Sequence, residues 1–278
     1  MSRIVAVANQ KGGQGKTTST LALGTALADR GYRVLIVDLD PQASLTSAAG
    51  LEPETLETTI YTAFTQYMAE ATVPAYANLA YPLGPSLALL PSSLDLALAE
   101  MDLHNAVRRE YVLAEILAVA RDDYDIVLVD CPPSLTWLTI NALTAAQQVL
   151  IPVVPEFLAA RGLGQLLGTI GRVKRNKLNP SLEIVGAVLT MVDARTAHGR
   201  HVAERIRAFL DGQAPILGEV KRSIRASEAA EAGESLLRYD TRGEAARGYR
   251  DVAAALLMAW GEQGTPATEA TEATVAHG

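Results

Sequence analysis

A glycine-rich segment near the beginning of the chain, NQKGGQGKTT at residues 9–18, contains the residue types that bind phosphate groups. Its three glycines permit backbone conformations that other residues avoid, and they let N–H groups approach phosphate oxygens without an intervening Cβ. Lys16 can reach the β- and γ-phosphates of a nucleotide, and the Thr17 hydroxyl can coordinate Mg²⁺. The segment therefore predicts a site for a nucleotide polyphosphate.

The same segment departs from the usual phosphate-loop spacing of Gly, four residues and Gly-Lys-Ser/Thr. Counting back from Gly15, the first glycine is expected at position 10, where the chain has Gln10. The next residue is a second cation, Lys11. The loop thus has one glycine fewer than the usual pattern and one lysine more.

Two acidic segments, VLIVDLDPQ and IVLVDCPPS, supply carboxylates that a nucleotide site needs. Ligands of an open parallel sheet bind at the carboxyl ends of its strands, so acids that follow strands are the natural candidates. Asp130 follows four apolar residues, the position from which an aspartate holds the water shell of Mg²⁺. Asp38 and Asp40 lie on the same side of the chain and can share a metal or orient an attacking water. A lone strand-end aspartate often caps a turn, but three beside a phosphate loop favour the catalytic interpretation.

The elements that must position these residues alternate along the chain. Runs such as VLIVD and IVLVD are apolar at nearly every position, which is typical of parallel strands covered by helices on both faces. Longer Ala/Leu-rich stretches between them predict helices, so the predicted fold class is α/β, a doubly wound and mostly parallel sheet. Strands are predicted at residues 3–9, 33–38, 87–91, 124–130, 148–155, 183–192 and 215–220, and helices near 17–30, 94–120, 135–145, 163–177, 201–210 and 242–260.

Length and composition predict one globular domain. The 278 residues are 49% hydrophobic, which can fill one large core, and residues 1–261 contain no evident linker or repeat. Residues 262–278 are poor in large apolar side chains and are predicted to be disordered. No apolar run approaches the roughly 20 residues that cross a bilayer, so a cytoplasmic location is expected. The single cysteine, Cys131, excludes an intrachain disulfide.

The charge is unevenly distributed. The whole chain has a net charge of −7, but residues 161–250 contain 16 Lys and Arg against 10 Asp and Glu. A basic C-terminal third on an acidic protein predicts a local anion-binding face. The alternative is a solvated face on which these charges form ion pairs.

Several segments resemble a known family. KGGQGKTT, with its early lysine, resembles the deviant Walker A motif of the ParA/MinD group of P-loop ATPases, and VDLDPQ and VDCPPS resemble the acidic motifs of that group. Within the group the chain is most similar to the short, chromosome-type ParA (Soj-like) partition ATPases. Further support comes from PEFLAARGLGQLLGTI, NPSLEIVGAVLTMVDAR and the weaker SIRASEA. The matching segments together cover most of residues 3–255.

The resemblance implies a role for the additional lysine, Lys11. In such ATPases the early lysine, here Lys11, reaches across a nucleotide-bound dimer to the phosphates of the partner subunit. ATP then lies between two protomers, and the added lysine offsets charge as an arginine finger does elsewhere. Slow hydrolysis would act as a timer, because the dimer persists until the γ-phosphate is lost.

Other roles follow from the resemblance by position, with ATP and Mg²⁺ as the implied cofactors. The implied roles are Lys16 as phosphate lysine, Thr17 as Mg²⁺ ligand, Thr18 as a further phosphate contact, Asp40 as the residue that positions the attacking water, and Asp38 and Asp130 as organisers of the metal and its waters. The implied nucleotide contacts are Lys11, Gly12, Gly13, Gln14, Gly15, Lys16, Thr17 and Thr18.

The resemblance also implies macromolecular partners. ATP dimers of the family bind double-stranded DNA without sequence preference, and a ParB-type partner stimulates hydrolysis, which implies a nucleoid-associated location. Two segments depart from the family. Lys221-Arg222-Ser223 replaces the Pro-Arg-Asn that approaches adenine, and Arg161 replaces an acid. The expected DNA contacts are Arg195, Arg222 and Arg225, followed by Lys221, Arg200 and Arg205.

Three alternative functions remain open. A MinD-like switch, acting on a membrane or a protein cargo, shares the loop and the dimer, but on a membrane it requires a basic amphipathic C-terminal helix, whereas this C-terminus is Thr/Ala-rich. An electron-transferring iron protein requires two cluster cysteines per subunit, and Cys131 fits a small buried residue better. A synthase of the dethiobiotin or cobyrinate type would phosphorylate a small acid, but the sequence shows no separate substrate motif.

Overall fold

The structure, a computed structural model, describes residues 2–75, 78–156, 159–193 and 197–261. Arg195, expected to contact DNA, and the tail at residues 262–278, expected to be disordered, lie outside these ranges. Within them, no helix has the length and apolarity needed to cross a membrane.

Eight strands in the described ranges form one sheet in the order β3-β4-β2-β5-β1-β6-β7-β8. All neighbouring pairs are parallel except β3 with β4, which is antiparallel. The strands are β1 (Arg3–Val7), β2 (Val34–Asp38), β3 (Tyr81–Gly84), β4 (Leu87–Leu90), β5 (Ile126–Asp130), β6 (Gln148–Val153), β7 (Glu183–Val192) and β8 (Ile216–Lys221).

Helices cover both faces of the sheet, because strand residues alternate between two apolar cores. On β1, Ile4 and Ala6 belong to the core covered by α3–α8, whereas Val5 and Val7 belong to the core covered by α1, α2 and α9–α11. The predicted doubly wound α/β class is confirmed. The helices are α1 (Lys16–Ala28), α2 (Ser44–Ala48), α3 (Ile60–Glu70), α4 (Leu96–Leu103), α5 (Val112–Ala118), α6 (Trp137–Ala145), α7 (Ala159–Arg175), α8 (Ala197–Leu210), α9 (Arg225–Glu231), α10 (Leu236–Tyr239) and α11 (Glu244–Ala259).

The register of three central strands brings the predicted site residues together at the carboxyl ends of the strands. Strand β5 lies between β1 and β2, and Asp130 at its end is the register partner of both Val7 and Asp38. The loop after β1 and the acids after β2 and β5 therefore begin side by side.

One predicted helix was wrong. The sequence predicted a continuous helix over residues 94–120, but the structure has α4 and α5 separated by a turn and a short 3-10 helix at Arg109–Tyr111. Arg108 between them has a left-handed backbone with φ of 53°, a conformation that cannot continue an α-helix.

Candidate functional site

The glycine-rich loop connects β1 to α1 and depends on glycine at two positions. Gly13 and Gly15 have φ of 70° and 78°, in the left-handed region that L side chains rarely adopt. Asn9 holds the start of the loop: its Oδ1 accepts a 3.1 Å hydrogen bond from the Lys11 N–H, and its Nδ2 donates to the Pro152 carbonyl at 2.7 Å. The loop is thus tied to β6 before its glycines begin.

Gln14 ties the middle of the loop to two neighbouring strands. Its side chain is buried, and its Oε1 accepts a 3.0 Å hydrogen bond from the backbone N–H of Val154. Its carbonyl accepts a 2.9 Å hydrogen bond from the Thr190 hydroxyl on β7. The sequence predicted only a phosphate contact at this position and missed the anchoring role of the side chain.

Lys16 begins α1 and is 7% exposed. Its Nζ donates to the Lys11 carbonyl at 3.4 Å, so the side chain folds back over the loop. Burial lowers the pKa of Lys16, while the carboxylates of Asp130 and Asp40 oppose that shift. The lysine is therefore a buried cation at the point where a phosphate chain would enter the loop.

Thr17 and Asp130 are brought together as the sequence predicted. The Thr17 hydroxyl donates to Asp130 Oδ2 at 2.7 Å, and Asp130 Oδ1 is buried without a hydrogen-bond partner in the described part of the chain. Burial raises the pKa of Asp130 well above its usual value, and the nearby Asp38 raises it further.

This donor set fits Mg²⁺. A hydroxyl and an unpartnered carboxylate oxygen are hard oxygen ligands, and a cation between them would offset the charge of two buried carboxylates. Over the described ranges no three His, Cys, Asp or Glu side chains cluster into a metal site. Mg²⁺ typically uses only one or two carboxylates and takes its other ligands from water and phosphate, so the small number of acids is consistent with it.

Asp38 and Asp40 occupy different environments although they are two residues apart. Asp38 is fully buried, and burial raises its pKa to about 6 despite hydrogen bonds from Thr46. Asp40 is partly exposed, and its Oδ1 accepts a 3.0 Å hydrogen bond from the Gln42 N–H. Only Asp40 therefore has its carboxylate at a surface that substrate and water can reach.

Lys11 lies at the outer rim of the loop. Its ammonium forms an ion pair with Glu156, and the two side chains are 37% and 48% exposed. The two lysines of the loop thus differ, because Lys16 is enclosed by its own subunit and Lys11 faces outward. No local pattern in the sequence indicated Glu156, which is 145 residues away.

Comparisons with known proteins agree with this geometry. A family model described as an AAA domain matches residues 2–184. The sporulation initiation inhibitor protein Soj of Bacillus subtilis is 39% identical over 91% of this chain and 97% of its own length. The chromosome partitioning protein ParA of Caulobacter vibrioides is 43% identical over 90% of this chain and 92% of its own length. This chain belongs to the ParA family of partition ATPases.

A solved structure supports the same conclusion about the fold. Cobyrinic acid a,c-diamide synthase from Mycobacterium smegmatis, with bound ADP and magnesium, superposes with a TM-score of 0.80 at 37% identity, over 96% of this chain and 98% of that one. This chain therefore shares its overall fold with a solved structure that contains ADP and magnesium.

The basic residues of this ParA-family chain are partly neutralised. Arg225 is ion-paired with Glu228 at 2.7 Å, and Lys221 with Glu244 at 2.8 Å. Arg222 is exposed and has no ion pair in the described part of the chain. The alternative interpretation, in which the basic residues form ion pairs, therefore applies to Lys221 and Arg225. Of these three residues, Arg222 is the stronger candidate for a DNA contact. Arg200 and Arg205 lie on α8.

Cys131 is buried with a free thiol, in agreement with its interpretation from the sequence as a small buried residue. Burial raises the pKa of this thiol, and the neighbouring Asp130 raises it further. Both effects favour the protonated thiol, which is a weaker nucleophile and ligand than the thiolate.

Proposed function

We propose that this chain is a Mg²⁺-dependent partition ATPase whose ATP-bound dimer binds DNA without sequence preference. A ParB-type partner stimulates slow hydrolysis, and loss of the γ-phosphate releases the dimer from DNA. The names of the Bacillus and Caulobacter relatives support a role in partitioning. A nucleoid-associated location would follow from the DNA binding.

The observation that carries the proposal is the contrast between the two loop lysines. Lys16 is enclosed beside Asp130, where it can serve only the nucleotide of its own subunit. Lys11 is half-exposed and held by a surface carboxylate, Glu156, which it can exchange for another anion. A lysine directed outward from a phosphate loop fits a partner subunit's nucleotide, where it would offset charge on the transferring phosphoryl group.

The remaining groups divide the chemistry of hydrolysis. The backbone N–H groups from Gly12 to Gly15 and the positive end of α1 receive the phosphates. Thr17 and Asp130 would hold Mg²⁺, which would offset the charge of the phosphates when bound. Asp40 has an accessible carboxylate and would orient the attacking water.

DNA binding would depend on dimer formation. Near the end of β8 Lys221 and Arg225 are ion-paired, and within the described residues Arg222 is not, so a single copy should bind phosphates weakly. Two copies joined by nucleotide present the same surface twice, which raises affinity by avidity. Nucleotide state can in this way switch DNA binding without any large change within one protomer.

The test measures ATP hydrolysis and retention on duplex DNA in the presence of ATP, ADP or no nucleotide. We expect retention of the wild type with ATP only. We expect Lys16→Ala to lose retention, and Asp40→Ala to retain DNA with ATP while losing hydrolysis. If both variants were retained on DNA without nucleotide as strongly as the wild type is with ATP, the switch model would be wrong.

Two other functions are distinguished by further arms of the same experiment. A MinD-like switch predicts ATP-dependent retention on anionic vesicles instead of DNA. The buried face of α11, from Ala245 to Leu257, argues against that helix as a lipid-binding element. The name of the Mycobacterium smegmatis protein gives a synthase activity as the second alternative. That activity predicts ATP hydrolysis that depends on cobyrinic acid and does not change when DNA is added.

A further inference from the structure

The buried carboxylate of Asp38 is hydrogen-bonded to the segment that follows it. Its Oδ1 accepts from the Asp40 N–H at 3.1 Å. Its Oδ2 accepts from the Thr46 N–H and from the Thr46 hydroxyl, both at 2.8 Å. All three donors belong to residues 40–46, so this carboxylate ties the two ends of that segment together.

Thr46 extends the connection to a second strand. The residue is fully buried, and its Oγ1 accepts a 2.9 Å hydrogen bond from the Ser92 N–H just after β4. A backbone N–H can only donate, so the hydroxyl proton is left to donate to Asp38. The chain of bonds therefore has one direction, from Ser92 through Thr46 to Asp38.

The turn between the two tethers has a conformation that needs support. Ala43 has a left-handed backbone with φ of 51°, which L-residues avoid, and no side-chain hydrogen bond caps α2 at this residue. Such backbone strain persists only where the surroundings hold the segment in place. The Asp38 and Thr46 contacts provide that support on either side of Asp40 and Ala43.

We infer that Thr46 is a positioning residue, which acts through Asp38 to fix the turn that carries Asp40 beside the phosphate loop. The inference rests on the proposed function, in which Asp40 orients the attacking water. Thr46 itself does not touch the reacting atoms, because Asp38 and Ser92 enclose its hydroxyl. Its loss should leave nucleotide binding intact and lower the rate of the chemical step.

The test compares Thr46→Val, which removes the hydroxyl, with Thr46→Ser, which keeps it. We expect Thr46→Val to lower kcat for ATP by about tenfold to a hundredfold, as misplacement of a catalytic group does, with KM changed by less than about twofold. Thr46→Ser should recover most of the activity. Thr25→Val is the matched control, because Thr25 is also buried but donates its hydroxyl to the Leu21 carbonyl within α1.

Three kinetic outcomes would overturn the inference. They are an unchanged kcat in Thr46→Val, an equal loss in Thr25→Val, and a rise in KM that accounts for the lost rate. Failure of the wild type to hydrolyse ATP would instead overturn the proposed function.

Amide hydrogen exchange tests the tether without nucleotide and without any variant. In the wild type we expect the N–H groups of Asp40 and Thr46 to exchange at least about a hundredfold more slowly than unprotected amides. Unprotected exchange at these two amides would overturn the inference even if Thr46→Val fails to fold.

Discussion

Lys11 and Lys16 have the same side chain but different surroundings. Lys16 is buried beside Asp130, while Lys11 reaches the surface and pairs with Glu156. An exposed ion pair of this kind contributes at most about 1 kcal/mol, so Lys11 can leave it for a phosphate at little cost. Under the proposed function, this difference in burial would let Lys16 bind the nucleotide of its own subunit and Lys11 bind that of a neighbour.

Replacement of each lysine by alanine should separate binding from dimerisation. We expect Lys11→Ala to keep ATP affinity within about threefold, while ATP-dependent dimerisation is lost and hydrolysis falls at least about a hundredfold, as for a lost arginine finger. Lys16→Ala should lose ATP binding itself. Equilibrium binding of a fluorescent ATP analogue and sedimentation velocity provide the two measurements.

Arg33→Ala is the matched control for these two readouts, because this cation is also ion-paired with a surface carboxylate, Asp125, but directly precedes β2, at the opposite end of the strands from the phosphate loop. It should leave ATP affinity and dimerisation unchanged. An equal loss of both properties in Lys11→Ala would make Lys11 an ordinary phosphate ligand of its own subunit.

A buried polar contact joins helices α1 and α11 behind the phosphate loop. The Tyr249 hydroxyl on α11 lies 3.1 Å from Ser19 Oγ on α1, and both residues are buried. Tyr249→Phe leaves the serine hydroxyl without its partner, so we expect the free energy of unfolding to fall by about 1 to 2 kcal/mol. Urea denaturation at pH 7 measures this change.

The same contact should make stability sensitive to alkaline pH. Burial raises the pKa of Tyr249 from 10 to about 12, although the Ser19 hydrogen bond opposes the shift. Between these values the unfolded phenol ionises and the folded one does not, so stability falls as pH rises. We expect the wild type to lose stability relative to Tyr249→Phe from pH 10 to 12; a constant difference would contradict the assignment.

Close approach of α11 to β8 requires glycine at position 248. A Cβ added there would lie 2.7 Å from the Glu219 carbonyl oxygen and 3.3 Å from Val220 Cα, both backbone atoms. We expect Gly248→Ala to cost about 1 to 3 kcal/mol of stability through overpacking, more than the roughly 1 kcal/mol gained in helix propensity. Gly168→Ala on α7 is the control, since open space surrounds that position and the change should stabilise by up to about 1 kcal/mol. Equal thermal shifts in the two variants would show that backbone proximity is unimportant.

Elements with uniform apolar sequence were predictable, and elements defined by their neighbours were not. Strands β2 and β5 are buried at every position, so VLIVD and IVLVD identified them directly. The sequence did not indicate β3, because Pro82 interrupts it and it pairs only at the edge of the sheet. Helix α3 was also missed, although the Thr59 capping box marks its start.

The residues of the candidate site also fall into a group that the sequence predicted and a group that it did not. Local patterns predicted the loop and the three acids, and the structure brings Thr17 to Asp130 as expected. The contacts of Gln14, Thr46 and Glu156 were not predictable, because each depends on a residue distant in sequence. Spacing within a motif indicates which groups can bind phosphate, but only tertiary packing decides which side chains hold them in place.

At the scale of the whole molecule, an acidic protein has basic residues at one end of its sheet. Arg222 follows the end of β8, so it lies at the same edge of the parallel sheet as the phosphate loop. Arg222 has no ion pair in the described part of the chain, whereas Arg225 is bound to Glu228. The two arginines should therefore contribute unequally to any contact with DNA.

Salt dependence of DNA binding measures this inequality. Each phosphate neutralised on duplex DNA contributes about −0.9 to the slope of log K against log salt, so Arg222→Ala should reduce that slope by about 2 in an ATP-bound dimer. Arg225→Ala should reduce it less, because its guanidinium must first leave Glu228. Arg121→Ala is the control, since this exposed arginine lies in the 3-10 helix at Val119–Asp122, just before β5 and therefore at the opposite edge of the sheet. An equal reduction of the slope by Arg121→Ala would mean that DNA binding depends on the overall charge of the protein. A reduction that is largest for Arg222→Ala, smaller for Arg225→Ala and absent for Arg121→Ala would locate the DNA contact at the end of β8.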